Sequence, residues 1–351
     1  MQRVRRMVVL TRMHTTRTGS KAAVLGAGTW GTALAKVLAE KGDEVSLWGR
    51  RVDVVDSINH DHVNARYLPR IELPHDVRAT HDVARALDGA DLVVFVPPSH
   101  AMRDVARLAA PYMPADAAVV NATKGIENHS LMFMDQVLRD ELPSRCSRRL
   151  CVLSGPSFAE ELGRQLPTAV VVASREASVS REVMRRFHTA YLRLYASEDV
   201  AGVECGGALK NVIAIATGAL DGLGYGMNTR AALITRGLAE MARLAMARGG
   251  SPLTLAGLAG LGDLVLTCTG ELSRNRTVGL ELGRGRKLGD VLASLGHVAE
   301  GVRTAKSAYE LSVKLSVDMP IMREVYTVLY EDKPLGQAVK DLMARELRPE
   351  F

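Results

Sequence analysis

Short apolar runs alternate with helical patterns over the first two hundred residues of the chain. The runs contain few polar positions, which is typical of strands that are buried on both faces. Residues 32–40 and 175–188 have apolar positions three and four apart and therefore predict helices. The predicted strands are Lys21–Leu25, Glu44–Trp48, Asp91–Val96, Ala117–Val120, Leu150–Leu153 and Ala169–Val172. This alternation predicts a Rossmann-like, doubly wound and mainly parallel α/β sheet.

The strand patterns stop after about Val203, and helical patterns broken by glycine continue to the C-terminus. Residues 249–252, Gly-Gly-Ser-Pro, are a clear stop between two of these helices. We therefore predict a leader at residues 1–20, an α/β domain at residues 21–203 and an all-helical domain at residues 204–351. We expect the leader to be disordered.

The net charge of the chain is concentrated at its N-terminus. The chain has 351 residues, 47% of them hydrophobic, which suits two domains with proper cores. Its formal charge is +6, but the first twenty residues contain no acidic residue and five arginines: Arg3, Arg5, Arg6, Arg12 and Arg17. The remainder is nearly neutral, so we expect no nucleic-acid partner. The leader could be a targeting peptide, an upstream translation start with Met13 as the alternative, or a tail; we favour a dispensable tail.

We expect neither a membrane span nor a metal site. The nearest apolar stretch, residues 253–269, is interrupted by glycines and by Asp263. The four cysteines have no metal-ligand spacing and do not form a dense framework. We therefore predict no zinc, no disulfide and a reducing compartment.

A glycine-rich turn follows the first predicted strand and opens a helix. It reads GAGTWG at residues 26–31, so Gly26, Gly28 and Gly31 match GxGxxG. In that setting the glycines permit a tight turn, let the backbone approach a pyrophosphate and allow close helix packing. The helix N-terminus then faces the phosphate. The sequence predicts a dinucleotide site; the alternative is a glycine-rich turn without a ligand.

Two arginines follow the second strand, where NAD-selective enzymes carry a carboxylate for the ribose. Arg50 and Arg51 stand there, and the first carboxylate is Asp53. Paired guanidinium groups suit the 2′-phosphate of NADP. We favour NADPH, with NADH accepted; the alternative is a solvated helix start.

Polar residues also follow two later strands. Lys124, in NATKGIE, follows the strand at 117–120, and Ser157, in SGPSFAEE, follows the strand at 150–153. Both should lie at the carboxyl edge of the sheet, where ligands of such folds bind. Ser157 with Glu160 also forms a possible capping box, which is the alternative to a ligand role.

Two isolated charges lie in apolar stretches of the helical half. Lys210 is the only charged residue between Cys205 and Leu220, and Asp263 the only one between Pro252 and Gly270. A buried ammonium or carboxylate needs a partner or a shifted pKa, which makes each a candidate for chemistry. For Lys210 the alternative is a lysine that reaches the surface from a buried helix.

A cluster of hydrogen-bond donors follows Asp263 along the chain. It reads Ser-Arg-Asn-Arg at residues 273–276, and a guanidinium there can hold a phosphate through two hydrogen bonds. With Lys210 and Asp263 the cluster predicts a site for a small phosphorylated polyol or ketone; the alternative is an exposed polar loop.

Taken together, these motifs resemble the bacterial NAD(P)-dependent sn-glycerol-3-phosphate dehydrogenase family. The motifs are GAGTWG, NATKGIE, SGPSFAEE, GVECGGALKN at 202–211, LAGLGDLVLTCTGELSRNR at 258–276 and VAEGVRTAK at 298–306. The resemblance implies an all-α C-terminal domain like that of 6-phosphogluconate dehydrogenase. It also implies reversible reduction of dihydroxyacetone phosphate to sn-glycerol 3-phosphate in the cytoplasm for phospholipid synthesis, and a homodimer formed through the helical half.

The resemblance further assigns roles to individual residues. It implies that Lys210 is the catalytic lysine, which polarises the ketone and donates a proton. It implies substrate contacts from Lys124, Gly155, Ser157, Lys210, Asp263, Ser273, Arg274 and Asn275. It implies NADP(H) or NAD(H) contacts from Gly26, Gly28, Thr29, Trp30, Gly31, Arg50, Arg51, Tyr67, Lys124, Ala159, Arg274, Val298 and Glu300.

Two other functions are compatible with the same plan. One is a related two-domain hydroxyacid or 6-phosphogluconate-type dehydrogenase, against which the cluster at 273–275 argues. The other is a nucleotide-binding protein without chemistry, in which Lys210 and Asp263 would only destabilise the fold. The chain also has two prolines, Pro97 and Pro98, where the family usually has one, so the loop beside the nicotinamide should be stiffer or shifted.

Overall fold

The computed structural model describes residues 19–295, 299–347, 349 and 350. The predicted leader at residues 1–20 lies almost entirely outside this range, and so does Val298. The expectations for both stay predictions.

The first half of the described chain contains ten strands and seven α-helices, besides three short 3-10 helices. In chain order they are β1 Lys21–Leu25, α1 Thr29–Glu40, β2 Glu44–Trp48, α2 Val52–Asp61, β3 Val63–Asn64, β4 Leu68–Glu72, β5 Val77–Thr80, α3 Val83–Leu87, β6 Leu92–Phe95, α4 Met102–Ala109, β7 Ala118–Asn121, α5 Met134–Glu141, β8 Leu150–Ser154, α6 Ala159–Gly163, β9 Thr168–Ala173, α7 Ala177–Phe187 and β10 Leu192–Ser197. All six predicted strands are present. This confirms the Rossmann-like fold class.

Eight of these strands form one sheet in the order β10-β9-β8-β7-β6-β1-β2-β5. Neighbouring strands are parallel except β8 and β9, which are antiparallel. β3 and β4 form a separate antiparallel pair. The strand order reverses direction between β1 and β6, and ligands of open α/β sheets bind at such a switch point.

The sequence did not predict the two edge strands, β5 and β10. Their residues alternate between buried and exposed positions, as in the buried, exposed, buried, exposed start of β10. An edge strand has one face and one side in contact with water, so it lacks the continuous apolar run that identified the central strands.

Alternate residues of the central strands pack into two separate cores. Ala22 and Val24 of β1 belong to the core on one face, with α1, α2 and α7, while Ala23 and Leu25 belong to the core on the other face, with α3, α4 and α5. Burial on both faces is the reason why these strands read as apolar throughout.

The second half of the described chain is helical. Its helices are α8 Val200–Gly222, α9 Met227–Ala247, α10 Pro252–Ala256, α11 Asp263–Thr269, α12 Arg274–Gly283, α13 Leu288–Leu295, α14 Glu300–Lys314, α15 Pro320–Tyr330 and α16 Leu335–Met343. A π-helical turn, Leu258–Gly262, leads directly into α11. Strands change to helices between Ser197 and Val200, while the division at residues 203 and 204 stays a prediction.

α8 is the central helix of this half. Most of its side chains are buried, and it packs against α9, α11, α12, α14 and α15. Among the described residues it is the one helix long and apolar enough to cross a bilayer, and 89% of its apolar window is buried inside the protein. The nearest candidate for a span is therefore α8, a core helix of this fold, and not residues 253–269.

Candidate active site

The carboxyl ends of five neighbouring strands carry most of the sequence-predicted site residues. Along the sheet edge, in spatial order, lie the loops after β2, β1, β6, β7 and β8. They carry Arg50 and Arg51, then the glycine turn, then Pro97 to Ser99, then Lys124, then Gly155 and Ser157. α8 and α11 of the helical half contact this edge near β7 and β8, so the two halves of the chain share one cleft.

The glycine turn between β1 and α1 has the shape that a pyrophosphate requires. Gly26 has φ 140°, and a Cβ there would lie 2.6 Å from the Val96 carbonyl oxygen. A Cβ on Gly31 would lie 1.9 Å from the Gly26 carbonyl oxygen, so the helix can pack this closely only without a side chain. A Cβ on Gly28 would meet no atom within 4 Å, which leaves open space above the turn.

Unsatisfied hydrogen-bond donors lie at the start of α1. Gly28 is the N-cap of α1 and supplies no side-chain hydrogen bond to the helix, so its first N–H groups remain available to an anion. The indole Nε1 of Trp30, the second residue of α1, is buried without a partner. These orphaned groups fit a bound dinucleotide phosphate.

The loop before β4 is tied to the glycine turn. The side chain of Asn64 donates to the Ala27 carbonyl oxygen (3.1 Å) and to Thr32 Oγ1 (2.8 Å), while its Oδ1 accepts from the Tyr67 backbone N–H (3.1 Å). Tyr67, predicted as a cofactor contact, therefore lies on a loop fixed to this turn.

The two arginines after β2 differ in their surroundings. Arg51 is the N-cap residue of α2 and forms a two-point ion pair with Asp53, at 2.9 Å and 3.0 Å. Arg50 is exposed. Only Arg50 is therefore presented without an acidic neighbour on α2.

One buried carboxylate joins the two predicted lysines. Asp263 is 1% exposed and its Oδ1 accepts from Lys210 Nζ at 2.6 Å, while its Oδ2 accepts from Lys124 Nζ at 2.5 Å. Lys210 Nζ also donates to Thr267 Oγ1 (2.7 Å), and Lys124 Nζ to the Gly155 carbonyl oxygen (3.1 Å). Residues that are far apart in the sequence thus form one network of charge-assisted hydrogen bonds.

Lys210 is buried inside this network. Burial lowers the pKa of Lys210 to about 8, the Asp263 carboxylate raises it and the Lys124 ammonium lowers it further. Lysine normally titrates near 10.5, so this ammonium is a stronger acid than a surface lysine. A lysine that only reaches the surface would not have this environment, which argues against that alternative.

The loop after β8 holds Lys124 but does not cap a helix as predicted. Gly155 has φ 142°, and its carbonyl oxygen accepts from both Lys124 Nζ and Ser157 Oγ (2.9 Å). The capping box of Ser157 with Glu160 is wrong: α6 begins at Ala159, its N-cap is Phe158, and Glu160 pairs with Arg164. The hydroxyl instead turns back onto the loop, at the predicted ligand edge.

The residues of the donor cluster at 273–276 have different roles: some stabilise the helical half, and one guanidinium is exposed. Ser273 is the N-cap of α12, and its Oγ accepts from the Arg276 backbone N–H at 3.3 Å. Arg276 is bound to Asp221 at 2.7 Å. Arg274 is exposed at the first position of α12 and is thus the guanidinium of the cluster that is presented to solvent.

Asn275 is buried and links the helices around Lys210. Its Nδ2 donates to Asn211 Oδ1 at 2.9 Å, and its Oδ1 accepts from the Gly301 backbone N–H at 2.9 Å. Asn211 directly follows Lys210, so Asn275 fixes α8 relative to the start of α14.

Glu300 joins the start of α14 to the loop after β6. Its carboxylate accepts from both the Oγ and the backbone N–H of Ser99, and burial raises its pKa, against the hydrogen bonds from Ser99 and the charges of Arg274 and Arg303. A Cβ on Gly125 would lie 2.6 Å from Ser99 Cβ. The predicted cofactor residue Glu300 therefore lies close to the loop that carries Lys124.

Sequence reasoning missed several residues of this site. Thr267 lies four residues after Asp263, one helical turn further along α11, and this spacing is a signal that was present in the sequence. Asn64, Asn211 and Ser99 have no such signal, because their partners lie in distant parts of the chain.

The described part of the chain also contains side chains of the types that bind metal ions. All four cysteines are buried and unpaired. Within the described ranges no three His, Cys, Asp or Glu side chains are grouped to hold a metal ion.

Comparisons with known proteins agree with this geometry. The family model described as the NAD-dependent glycerol-3-phosphate dehydrogenase N-terminus matches residues 21–180, and the corresponding C-terminus matches residues 199–340. Glycerol-3-phosphate dehydrogenase [NAD(P)+] of Myxococcus xanthus is 53% identical over 94% of this chain and 99% of its own length. The same enzyme of Geobacter sulfurreducens is 54% identical over 93% and 98%.

A solved structure extends the similarity to three dimensions. The crystal structure of glycerol-3-phosphate dehydrogenase from Coxiella burnetii superposes with a TM-score of 0.89 at 42% identity, covering 93% of this chain and 99% of that one. The similarity spans both halves and both sides of the cleft, and the hydroxyacid or 6-phosphogluconate-type alternative is less supported. The chain therefore belongs to the NAD-dependent glycerol-3-phosphate dehydrogenase family of NAD(P)-linked oxidoreductases.

Proposed function

We propose that the protein catalyses the reversible NAD(P)H-dependent reduction of dihydroxyacetone phosphate to sn-glycerol 3-phosphate. The observation that carries this proposal is the buried Lys210 ammonium, bonded to Asp263 and Thr267 at the edge of a sheet that also carries a pyrophosphate turn. A retained buried charge is costly, and catalysis is the reason to keep it.

The coenzyme, when bound, supplies the hydride to the ketone carbon. Its pyrophosphate would be held by the turn from Gly26 to Gly31 and the N-terminus of α1, with Thr29 and Trp30 beside it. We further assign it contacts with Arg50, Arg51, Tyr67, Lys124, Ala159, Arg274, Val298 and Glu300.

Lys210 provides the proton that balances the hydride. Its ammonium polarises the carbonyl and donates one proton to the oxygen, which leaves a neutral amine that takes a proton from water afterwards. Asp263 stabilises the ammonium until transfer. A pKa of about 8 keeps Lys210 largely protonated at neutral pH and yet acidic enough to donate.

The other charged groups would hold the anionic substrate. Lys124, fixed by Asp263 and the Gly155 carbonyl oxygen, presents a second ammonium next to Lys210. We assign the phosphate to the exposed guanidinium of Arg274, since arginine binds phosphate through two parallel hydrogen bonds. The remaining proposed substrate contacts are Gly155, Ser157, Ser273 and Asn275.

The arginines after β2 favour NADPH as the coenzyme. Arg50 is exposed at the position where a 2′-phosphate would lie. The Arg51 guanidinium is already ion-paired with Asp53, which weakens its attraction for a 2′-phosphate. NADH would therefore still be accepted.

We also propose that the protein is a cytoplasmic homodimer and that its product, sn-glycerol 3-phosphate, supplies the backbone for phospholipid synthesis. The four buried, unpaired cysteines suit a reducing compartment. The helical half exposes large apolar side chains that a second copy would cover: Leu223, Tyr225, Met227 and Leu253. Light scattering on the purified protein tests this: a mass twice that of the chain supports the dimer, and a monomer at micromolar concentration contradicts it.

A steady-state assay tests the enzymatic proposal. NADPH or NADH oxidation is followed with dihydroxyacetone phosphate, unphosphorylated dihydroxyacetone and a panel of 2-oxo acids, and NADP⁺ reduction is followed with 6-phosphogluconate. We expect turnover with dihydroxyacetone phosphate and a higher kcat/KM with NADPH than with NADH. Preferential turnover of a 2-oxo acid or of 6-phosphogluconate would instead favour the related dehydrogenases.

A further inference from the structure

A second buried carboxyl group lies on the helix that carries Lys210. Glu204 is 6% exposed and stands six residues before Lys210 on α8. Neither the coenzyme site nor the substrate site proposed above uses it. Burial, first, and then the neighbouring Asp135 carboxyl raise the pKa of Glu204 well above its usual range.

The Glu204 carboxyl connects α8 to the loop that carries Lys124. Its Oε1 accepts from Asn121 Nδ2 at 3.1 Å and from the Asp135 backbone N–H at 2.9 Å. Asn121 Oδ1 in turn accepts from the Thr123 backbone N–H at 3.0 Å. Lys124 is the next residue, so a short chain of hydrogen bonds runs from the helix of one lysine to the loop of the other.

Glu204 also lines a small cavity together with Lys124. Glu204 Oε2 and Ser154 Oγ are both buried without a partner. Both residues line one cavity together with Thr123, Lys124 and Gly207, which has room for about one water molecule. The Glu204 carboxyl therefore contacts Asn121 on the sheet and also lines a polar space next to Lys124.

Neighbouring contacts limit how far Lys124 can move. A Cβ on Gly207 would lie 3.3 Å from Lys124 Cγ and 2.7 Å from Ser154 Oγ, so α8 packs directly against the lysine stem. The Lys124 head group is fixed by Asp263, and the base of its loop is fixed by Glu204 through Asn121. The aliphatic stem of Lys124, its ammonium group and the base of its loop are therefore all held by elements of the helical half.

We propose that Glu204 is a positioning residue: its carboxyl fixes the loop of Lys124 against the helix of Lys210 and so sets the spacing of the two ammonium groups around Asp263. This inference rests on the proposed function for its readout. Glu204 acts through Asn121 and Lys124 and does not touch the substrate.

Glu204→Leu, Glu204→Gln and Glu240→Leu test the proposal together. Glu240 is the matched control because it is also a buried glutamate of the helical half, but its carboxylate accepts from the backbone N–H groups of Ile321 and Met322, at the start of α15. Each variant is compared with wild type for melting temperature, for kcat and KM with dihydroxyacetone phosphate, and for the pH dependence of the reduction.

We expect E204L to lose about a hundredfold in kcat/KM, since a displacement of about 1 Å in a site costs on that order. The fall of its reduction rate with rising pH, which we call the alkaline limb of the pH profile, should also move to higher pH. The reason is that a displaced Lys124 no longer lowers the pKa of Lys210. E204Q keeps both hydrogen-bonding sides of the carboxyl and should remain close to wild type. E240L should lose thermal stability and keep its KM and its pH profile.

The proposal fails if E204L behaves like E240L, or if E204Q is as defective as E204L. If E204L gives no folded protein, Asn121→Ala breaks the same link from the loop side and must show the same shift of the pH profile. A wild-type protein that does not reduce dihydroxyacetone phosphate would refute the proposed function. An active wild type with an unaltered pH profile in E204L would refute this inference alone.

Discussion

Replacing Asp263 by asparagine should disable the enzyme mainly by deprotonating Lys210. The substitution keeps the shape of the side chain and removes the charge that both lysines share. Of the three main influences on the Lys210 pKa, only the Asp263 carboxylate raises it; burial and Lys124 both lower it. Without the carboxylate, Lys210 should therefore titrate well below its value of about 8.

The size of the effect follows from the range of such shifts. An opposite charge within hydrogen-bond distance shifts a pKa by about one to three units, so we take a drop of roughly two units. At pH 8 about half of Lys210 is protonated in the wild type, and roughly 1% would be in D263N. Protonation alone then lowers the rate of reduction roughly fiftyfold at pH 8, and less at lower pH.

The assay is the initial rate of NADPH oxidation with dihydroxyacetone phosphate, measured from roughly pH 4.5 to 9.5 so that a fall about two units below the wild-type one is within range. Because the donor must be protonated, wild-type reduction should fall as the pH rises through about 8. In D263N the same fall should occur about two pH units lower.

Asp221 provides a matched control. It is a buried carboxylate of the same half that bridges two arginines, Arg230 and Arg276, as Asp263 bridges two lysines. D221N should lose stability and keep the wild-type alkaline limb. A D263N enzyme whose rate still falls near pH 8, or a D221N enzyme whose limb moves equally, would refute the reasoning.

Three further predictions concern phosphate binding, the coenzyme turn and the cysteines. Arg274→Ala should raise KM for dihydroxyacetone phosphate and change the rate with unphosphorylated dihydroxyacetone little. The control, Arg276→Ala, breaks the pair with Asp221 and should mainly lower the melting temperature. Equal effects of R274A on both substrates would contradict the phosphate role. Gly28→Ala should weaken NADPH binding in a fluorescence titration and leave the melting temperature unchanged. Gly31→Ala should lower the free energy of unfolding by about 1–3 kcal/mol, because its Cβ would overlap the preceding turn. A G31A protein as stable as wild type would contradict this packing. The four cysteines should resist a thiol reagent in the native protein and all react in denaturant, and rapid reaction of a native cysteine would contradict their burial.

The central sheet could be predicted from the sequence because its strands are buried on both faces. β1 and β2 have the predicted bounds; β8 differs from its prediction by one residue at one end, and β6, β7 and β9 differ by one residue at each end. The edge strands β5 and β10 could not be found by the same signal, since half of their residues face water.

The chemistry of the site could be predicted where a charge stands alone in an apolar stretch. Lys210 and Asp263 were recognised separately on that ground, but their contact joins residues 53 positions apart and only the folded chain shows it. Glu204 directly precedes the apolar stretch around Lys210, so it did not stand out as an isolated charge. The predicted capping box of Ser157 with Glu160 was wrong, because α6 begins two residues after Ser157.

The most direct test of the account is the rate of hydride transfer in Lys210→Met, which keeps most of the volume of the buried side chain. NADPH binding, followed by fluorescence, and the circular dichroism spectrum should match wild type, while reduction of dihydroxyacetone phosphate should fall by about 10²–10⁴-fold. A variant that binds NADPH and still reduces the ketone at close to the wild-type rate would contradict the assignment of Lys210 as the proton donor.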